Sequence, residues 1–193
     1  MLIVVRHGRT AENVAGKLLG RHDPDLDDEG RHQAAAMASW IGPVDRVVSS
    51  PLGRAAQTAE AFGREVHIDE RWIELDYGDF DTAHPADIPR AVWEKWRTDP
   101  DFAPPGGESM ASLVRRVTAA GAELLAEAAD HDVVVVTHVS PIKAVVSWVL
   151  GGVDQVAFRT RVGQPSITRV SAGTHGPVLQ SFNEQPPPLP PPA

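Results

Sequence analysis

The sequence predicts an α/β fold, a three-layer α/β/α sandwich around a mostly parallel central sheet. Two observations lead to this prediction. Short, continuous runs of β-branched residues, as at Leu2–Val5 and Val133–Val136, are typical of strands that are buried on both faces. Helical patterns alternate with such runs along the chain, and this order produces a parallel sheet covered by helices on both sides.

The composition is that of a globular protein with one domain. The chain has 193 residues, of which 42% are hydrophobic and 23% are charged, and domains commonly hold roughly 100–200 residues. We expect a single domain over residues 1–184 and a disordered tail over residues 185–193, because six of these last nine residues are proline and such a segment buries little surface.

Charge, cysteine content and hydropathy exclude several classes of protein. The absence of cysteine excludes disulfide bonds, a thiol nucleophile and zinc sites built on sulfur. A net charge of −8 argues against a nucleic-acid partner, because nucleic acids bind to basic surfaces. No apolar run approaches the ~20 residues of a membrane span, and no secretory signal is present. We expect a cytoplasmic protein without a membrane partner, and no pattern predicts its oligomeric state.

The first half of the chain contains three predicted strands and two predicted helices. Leu2–Val5 is the first strand. An alanine-rich run at Asp28–Ile41 has acidic residues at its start and a Gly-Pro pair at its end, which predicts a helix. Asp45–Ser49 predicts a strand, and Ser50 is expected to cap a helix that continues to about residue 62. A short strand is predicted at Val66–Asp69.

The second half begins with an irregular segment. Residues 76–107 contain five prolines and a Gly-Gly pair, with a short helix predicted at Arg90–Arg97. A long irregular segment in a small domain is usually a functional loop. The remaining predicted elements are a helix at Ser109–Ala129, a strand at Asp132–Thr137, a helix from Ser140 to Leu150 and strands at Ile167–Val170 and Val178–Phe182.

Two histidines follow predicted buried strands, His7 after the first strand and His138 after Asp132–Thr137. A single histidine is more often a surface or core residue than a functional one. However, parallel strands place their carboxyl ends at one edge of the sheet, where such sheets bind ligands. We therefore expect the two histidines to lie close together in a site.

The residues near these histidines predict a site for a phosphoryl group. Arg6 and Arg9 flank His7, and Arg54 lies near the start of the helix that follows Ser50. The planar guanidinium group matches the oxygens of a phosphate, and helix N-termini add backbone N–H donors. A neutral histidine could attack phosphorus while a second, at least partly cationic histidine stabilises the equatorial oxygens.

Such a reaction also requires an acid that protonates the leaving oxygen. No H-E-x-x-H motif or EF-hand loop is present, so we expect neither a metal nor a cofactor and assign this task to a carboxyl group. Six acidic residues lie within Asp69–Asp81, and the residues alone do not distinguish among them.

Five segments resemble motifs of the histidine phosphatase superfamily, the phosphoglycerate mutase-like proteins. They are Arg6–Asn13 (RHGRTAEN), Ser49–Thr58 (SSPLGRAAQT), Glu74–Gly78 (ELDYG), Pro105–Ser109 (PGGES) and Val136–His138 (VTH). The segments occur in the family's order and lie within residues 1–151, about three quarters of the chain. A lone R-H-G would be weak evidence, whereas the combination is specific.

The resemblance implies a phosphoglycerate mutase-like fold and an acid-type histidine phosphatase. Such an enzyme hydrolyses a small phosphorylated metabolite through a phosphohistidine, without a metal or a cofactor. It implies His7 as the nucleophile, Glu74 as the proton donor, Arg6, Arg54 and His138 as the other catalytic residues of the phosphate pocket, and Thr10 and Asn13 as further contacts. Glu108 is expected to support the following helix, with Ser109 as its cap.

The chain departs from the family pattern at four places, of which the last two, Glu12 and the segment after Gly78, concern the approach to the site. Val139 replaces the glycine that commonly follows the second histidine, and we expect this bulkier side chain to contact the substrate. Lys143 stands where many relatives have arginine, and Glu12 stands where many have tryptophan. The segment after Gly78 lacks the usual D-W-E-G form. We therefore expect residues 17–22 and 79–105 to determine substrate specificity, and the sequence does not identify the substrate.

Two other functions remain as alternatives. The first is a phosphoglycerate mutase, which usually carries a longer insertion after the Glu74 motif than this chain has. The second is a non-catalytic regulator that binds phosphate. The proline-rich tail could also bind a partner domain as a polyproline ligand, although a disordered end is the simpler interpretation.

Overall fold

The central sheet of the computed structural model has six strands within the residues that the structure describes, 1–152 and 156–186. The strands are β1 (Leu2–Arg6), β2 (Arg46–Ser49), β3 (Val66–Ile68), β4 (Val133–Thr137), β5 (Ser166–Gly173) and β6 (Gly176–Glu184). Their order in the sheet is β3-β2-β4-β1-β5-β6. The first four of these are parallel, whereas β5 is antiparallel to both β1 and β6. The prediction of a mostly parallel sheet is confirmed.

Seven helices are found in the same described ranges. They are α1 (Ala11–Val14), α2 (Asp28–Ile41), α3 (Gly53–Glu60), α4 (Arg90–Thr98), α5 (Met110–Glu127), α6 (Val139–Val149) and α7 (Val156–Arg159). Short 3₁₀ turns occur at Glu70–Trp72, Gly78–Phe80 and Pro85–Asp87. The shortest helices, α1 and α7, were not predicted because four residues are too few to show a helical period. None of the helices described is long and apolar enough to cross a membrane.

Helices cover both faces of the sheet. In β1, Leu2 and Val4 pack into a core cluster that includes residues of α5 and α6. Ile3 and Val5 point to the other face and pack with Met37 of α2 and with α3. Successive side chains of a strand point to opposite faces, so the fully apolar β1 contributes to both cores. The three-layer α/β/α arrangement follows from this alternation.

The start of α3 differs from the prediction. The N-cap is Leu52, in extended conformation and without a capping side chain, so the prediction that Ser50 caps this helix was wrong. Ser50 is fully buried at the end of β2, and its Oγ lies 2.7 Å from Nε2 of His138. The hydroxyl is thus held at the sheet edge, and the helix begins three residues later.

The last two strands are longer than the apolar runs from which they were predicted. β5 and β6 form a hairpin in which pairing extends to Gly173 and Gly176, beyond the predicted ends at Val170 and Val178. Of the extra residues, Ala172, Gly173 and Gly176 are exposed and Ser171 and Pro177 are half-buried, so together they gave no continuous apolar run. Residues 187–193 of the predicted tail lie outside the described residues, and β6 ends at Glu184.

The sheet register places the two histidines side by side. Arg6 pairs with Thr137 at the carboxyl ends of β1 and β4, so His7 and His138 follow on adjacent strands. The backbone N–H of His7 donates to the carbonyl oxygen of Thr137 at 2.9 Å. The prediction that these two histidines lie close together at one edge of the sheet is confirmed.

Candidate active site

His7 and His138 form the centre of the site. Their ring centroids are 5.0 Å apart, with an angle of 57° between the rings, and both side chains are buried. Nδ1 of His7 lies 2.7 Å from the carbonyl oxygen of Gly8. A carbonyl can only accept, so Nδ1 carries the proton, and Nε2 of the neutral ring retains a lone pair.

The electrostatic surroundings keep His7 neutral. Burial, followed by the positive charges of Arg54 and Arg6, holds the pKa of His7 well below its usual value. Desolvation and nearby cations both disfavour the protonated ring. The neutral form of the His7 imidazole, which has a lone pair on Nε2, is therefore favoured.

His138 occupies the N-cap of α6 in extended conformation. Its Nε2 lies 2.7 Å from Ser50 Oγ, and its Nδ1 has no hydrogen-bond partner within the described ranges. Burial and then Arg54 hold the pKa of His138 well below its usual value. This direction describes the site without ligand, where burial is the larger cause and the neighbouring guanidinium groups add to it; a partly cationic His138 beside a bound phosphate stays a prediction. A bound phosphate dianion would oppose this effect and favour protonation.

Arg6 contributes a cation from the last position of β1. Its Nη1 donates to the carbonyl oxygens of Val162 and Gly163 at 3.0 and 3.1 Å. Its Nε is buried and has no partner in the part of the chain that is described. Burial lowers the pKa of Arg6 to about 10, so the group is still protonated at neutral pH. The unpartnered Nε–H can therefore serve an anionic ligand.

Arg54, in the first turn of α3, is fully buried. Its Nη1 donates to the carbonyl oxygen of His22 at 2.7 Å, and its Nη2 donates to that of Gly20 at 2.8 Å. Asp23 lies 3.3 Å from Nη1. As with Arg6, the Nε–H has no partner among the residues described. Both arginines are thus anchored through their Nη atoms, and each keeps one buried donor available.

Glu74 lies at the N-terminus of α6, beside these groups. Only 3% of the residue is exposed, and its Oε1 accepts hydrogen bonds from the backbone N–H groups of Leu75 at 2.6 Å and Ser140 at 3.2 Å. Its negative charge opposes the lowering of the pKa of both Arg6 and Arg54. Among the acidic residues of Asp69–Asp81, Glu74 is the one whose charge acts on both Arg6 and Arg54.

The neighbouring acidic residues have other partners. Asp69 forms an ion pair with Arg71 at 2.8 Å. Asp81 accepts hydrogen bonds from the backbone N–H groups of Gly20, Arg21 and His22 at 2.8–2.9 Å. Asp69 and Asp81, two of the other five acidic residues in Asp69–Asp81, thus have structural contacts. The choice of Glu74, which rested on the family resemblance, agrees with this arrangement.

Thr10 and Asn13 shape the loop after β1. They form a capping box for α1, in which Asn13 Oδ1 accepts from the Thr10 N–H at 3.2 Å and Thr10 Oγ1 accepts from the Asn13 N–H at 3.3 Å. Nε2 of Gln164 donates to Asn13 Oδ1 at 2.8 Å and to the Gly8 carbonyl at 3.0 Å. These contacts hold the loop around His7, and direct contact of Thr10 or Asn13 with phosphate stays a prediction.

Val139 and Lys143 lie on the α6 side of the site. Val139 is half-buried and lines a cavity of about 290 Å³ together with Ser140 and Lys143. Nζ of Lys143 donates to the carbonyl oxygen of Ala157 at 2.6 Å, and burial lowers the pKa of Lys143. The expected place of Val139 in the pocket wall agrees with this geometry.

The supporting role expected for Glu108 matches its contacts. Its carboxylate binds the guanidinium of Arg116 through two hydrogen bonds of 2.8 Å. Ser109 caps α5 by accepting from the backbone N–H of Ser112 at 3.2 Å. Glu108 therefore belongs to the structural support of the loop that carries Glu74.

Sequence reasoning missed three residues that hold the site together: Arg116, Asp81 and Gln164. Each binds backbone atoms of a distant loop, and no local pattern marks such a contact. Asp81 lay in the acidic stretch but was not separated from its neighbours. Within the described residues, no group of three or more His, Asp or Glu side chains is arranged to hold a metal ion.

Comparisons with known proteins agree with this geometry. A family model described as the histidine phosphatase superfamily (branch 1) matches residues 2–185. Phosphoserine phosphatase 1 of Hydrogenobacter thermophilus is 35% identical over 164 residues, which cover 78% of this chain and 76% of that protein. A probable phosphoglycerate mutase of Proteus mirabilis is 34% identical over 177 residues, which cover 86% of this chain and 82% of that protein.

Other relatives extend the comparison. The chain spans about half the length (49%) of some curated relatives, among them a bifunctional protein of Mycobacterium tuberculosis that is 31% identical over 177 residues, or 86% of this chain. Among solved structures, phosphoserine phosphatase from Entamoeba histolytica in complex with 3-phosphoglyceric acid superposes with a TM-score of 0.87. It has 30% sequence identity, and the match covers 95% of this chain and 96% of that one.

Proposed function

The chain belongs to the histidine phosphatase superfamily, as its motifs predicted, and from this premise we propose that it hydrolyses small phosphomonoesters through a phosphohistidine at His7. The observation that carries the proposal is the hydrogen bond from His7 Nδ1 to the Gly8 carbonyl. It leaves the lone pair on Nε2, beside two buried arginines that each have a donor without a partner. The phosphatase names among the relatives support the same reaction class.

In the first step, Nε2 of His7 attacks phosphorus as the bond between phosphorus and the leaving oxygen breaks. Glu74, in its protonated form, gives its proton to that oxygen, and the alcohol departs. The products are the alcohol, a phosphohistidine and the Glu74 carboxylate. A positioned carboxyl group contributes general acid catalysis in such a step.

In the second step, a water molecule attacks the phosphohistidine. The Glu74 carboxylate accepts a proton from this water, the bond between phosphorus and nitrogen breaks, and inorganic phosphate leaves. His7 returns to its neutral form with Nδ1 still bound to Gly8. One carboxyl group thus acts first as an acid and then as a base.

Arg6, Arg54 and His138 stabilise the charge on the transferring group in both steps. Fixed donors aimed at developing charge cost no rearrangement during the reaction. The two guanidinium groups are already anchored through their Nη atoms. We therefore assign the remaining Nε–H groups, with His138, to the non-bridging oxygens of phosphate.

Trapping the intermediate tests the proposal. With a ³²P-labelled phosphomonoester and an alkaline quench, the wild type should retain label that is stable to base and labile to acid, as expected of a phosphohistidine. His7→Ala should retain no label and show no turnover. His67→Ala removes an exposed histidine on β3 and should behave as the wild type. Turnover in His7→Ala above a tenth of the wild-type rate would contradict the mechanism.

A phosphoglycerate mutase is the second candidate, because one of the relatives is a probable phosphoglycerate mutase. A mutase transfers phosphate back to the reoriented product, whereas a phosphatase releases it to water. Incubation with 3-phosphoglycerate, with and without a bisphosphate primer, separates the two by measuring isomer against free phosphate. A regulator without activity would give neither product and no labelled histidine.

The remaining expectations are part of the same proposal. The catalytic domain comprises residues 1–184, and the residues after the end of β6 lie outside it. The partner is a small phosphorylated substrate rather than a nucleic acid or a membrane, and the location is the cytoplasm. We expect turnover to persist after dialysis against EDTA, because the mechanism assigns every step to side chains.

A further inference from the structure

A cavity of about 290 Å³ lies against the Glu74 side of the site. Most of its wall is apolar or aromatic. This wall includes Leu18, Trp93, Trp96, Met110, Val139 and Phe158. These residues come from loops and helices distributed over most of the chain, so the fold rather than any single motif creates the cavity.

The cavity adjoins the first turn of α6, whose residues Val139 and Ser140 line it. Val139 directly follows His138, and the backbone N–H of the next residue, Ser140, donates to the Glu74 carboxylate. Tyr77 also lines the cavity, and its hydroxyl lies 3.3 Å from Ser140 Oγ. A phosphoester whose leaving oxygen receives a proton from Glu74 must extend its alcohol part to this side. The cavity is therefore where the leaving group of a substrate would lie.

The aromatic part of the wall is tightly packed. Trp96 is 4% exposed and contacts Tyr77, Phe80, Trp93 and Phe102 with ring centroids 5.1–6.1 Å apart. Three of these contacts are edge-to-face and the contact with Trp93 is tilted, and such geometries are favourable for aromatic pairs. The wall is thus a preformed apolar surface, and such surfaces bind apolar and aromatic groups.

The charge of the wall argues against a small acidic alcohol. Among the lining residues that the structure describes, Lys143 is the one charged side chain, and its ammonium group is engaged with the Ala157 carbonyl. Carboxylates are recognised most strongly by the paired donors of arginine. No arginine is among the described residues of this wall, so a serine or glycerate carboxylate would give up its water for a single lysine that already donates to a carbonyl, without the paired donors of a guanidinium.

We propose that this cavity binds the alcohol part of the substrate and that the preferred substrate is a phosphomonoester of a bulky apolar or aromatic alcohol. The inference rests on the proposed phosphatase reaction and adds to it the class of the leaving group. The preferred leaving group would differ from that of the relatives named as phosphoserine phosphatases.

Substrates with similar leaving oxygens test the inference. Ethyl phosphate and 2-phenylethyl phosphate are both esters of primary alcohols and differ in the apolar ring. We expect kcat/KM for 2-phenylethyl phosphate to exceed that for ethyl phosphate and for phosphoserine by at least about tenfold, since apolar pockets discriminate by about this much. A value for phosphoserine or ethyl phosphate equal to or above that for 2-phenylethyl phosphate overturns the inference.

Variants of the wall locate the preference. Trp93→Ala and, separately, Phe158→Ala should reduce the ratio between 2-phenylethyl and ethyl phosphate to less than about half of the wild-type ratio. Two separate variants are used because the loss of one tryptophan could disturb the wall beyond its own position. Trp40→Ala, which removes a tryptophan that is 41% exposed on α2, should keep the wild-type ratio. An unchanged ratio in both wall variants contradicts the assignment of this cavity.

A binding measurement separates this inference from the proposed function. Titration of His7→Ala with 2-phenylethylphosphonate and ethylphosphonate reports affinity without turnover, and we expect the phenyl compound to bind at least about tenfold more tightly. Preferential binding without any turnover in the wild type would overturn the phosphatase proposal and keep the cavity. Turnover through a phosphohistidine with equal binding of both phosphonates would overturn the cavity inference alone.

Discussion

Arg116 donates a hydrogen bond from Nη2 to the backbone carbonyl of Glu74 at 3.2 Å. Its Nη1 donates to the carbonyls of Arg71 and Ile73, both at 2.7 Å. On its other side, Glu108 binds the same guanidinium through two hydrogen bonds. One cation on α5 thus fixes the loop that delivers Glu74 to the site, which makes Arg116 a positioning residue.

Replacing Arg116 with lysine should affect proton donation more than phosphate binding. A lysine ammonium cannot bind three carbonyls and a carboxylate in the geometry of a guanidinium, so Glu74 would lose its exact placement. We expect kcat for an alkyl phosphate to fall at least about tenfold and kcat for p-nitrophenyl phosphate to fall less, because nitrophenoxide leaves without a proton. Arg46→Lys, which alters an ion pair with Glu127, is the matched control. Equal losses on both substrates would mean that the role of Arg116 is only structural.

Removing the acid itself should give the same pattern with a larger effect. Glu74→Gln keeps the size of the side chain but replaces the carboxyl group, so that no acidic proton is available for the leaving oxygen. General acid catalysis contributes roughly 100-fold or more, so we expect a loss of that order on alkyl phosphates and a smaller loss on p-nitrophenyl phosphate in steady-state assays. Glu70→Gln changes an exposed carboxylate on the same loop and should have no effect. A uniform loss in Glu74→Gln would argue against the proton-donor role.

Stability should decrease as the pH falls through the histidine range. The pKa values of His7 and His138 are lowered by burial in the folded state, whereas in the unfolded chain they lie near 6.5. Below about pH 6.5 the unfolded chain therefore binds protons that the folded state excludes, and the free energy of unfolding decreases. Chemical denaturation at several pH values should show this slope, and His7→Ala should show a shallower one. An equal slope in the variant would contradict the lowered pKa.

We expect Asp81 to affect phosphate affinity indirectly, through the loop that holds Arg54. It binds the backbone N–H groups of Gly20, Arg21 and His22, and carbonyls of this loop hold Arg54. Asp81→Ala leaves these N–H groups without their acceptor, at a cost of about 1–3 kcal/mol for a buried group. We expect a lower free energy of unfolding and weaker binding of inorganic phosphate by calorimetry.

The control for this variant is Asp87→Ala, which changes an exposed carboxylate in the turn before α4. It should leave both quantities at their wild-type values. Unchanged phosphate affinity in Asp81→Ala would show that Arg54 keeps its position without the loop contact.

Local patterns in the sequence were sufficient to predict the layers of the fold and the sheet edge that His7 and His138 share. Buried strands have continuous apolar runs and helices have a recurring apolar face, so β1, β4 and α2 were predicted within one or two residues. Because parallel strands end at a common edge, their order also placed His7 and His138 together. These features depend on local patterns, which the sequence displays directly.

The supports of the candidate site and the apolar cavity became visible only in the packed structure. Residue types alone did not separate Glu74 from its acidic neighbours, and the family resemblance selected it. In the structure, its hydrogen bond with the start of α6 and its position near Arg6 and Arg54 distinguish it. The clamp of Arg116, the loop held by Asp81 and the apolar cavity all join residues that are distant in the chain. Such contacts depend on the packing of helices against the sheet, and no local pattern of residue types encodes them.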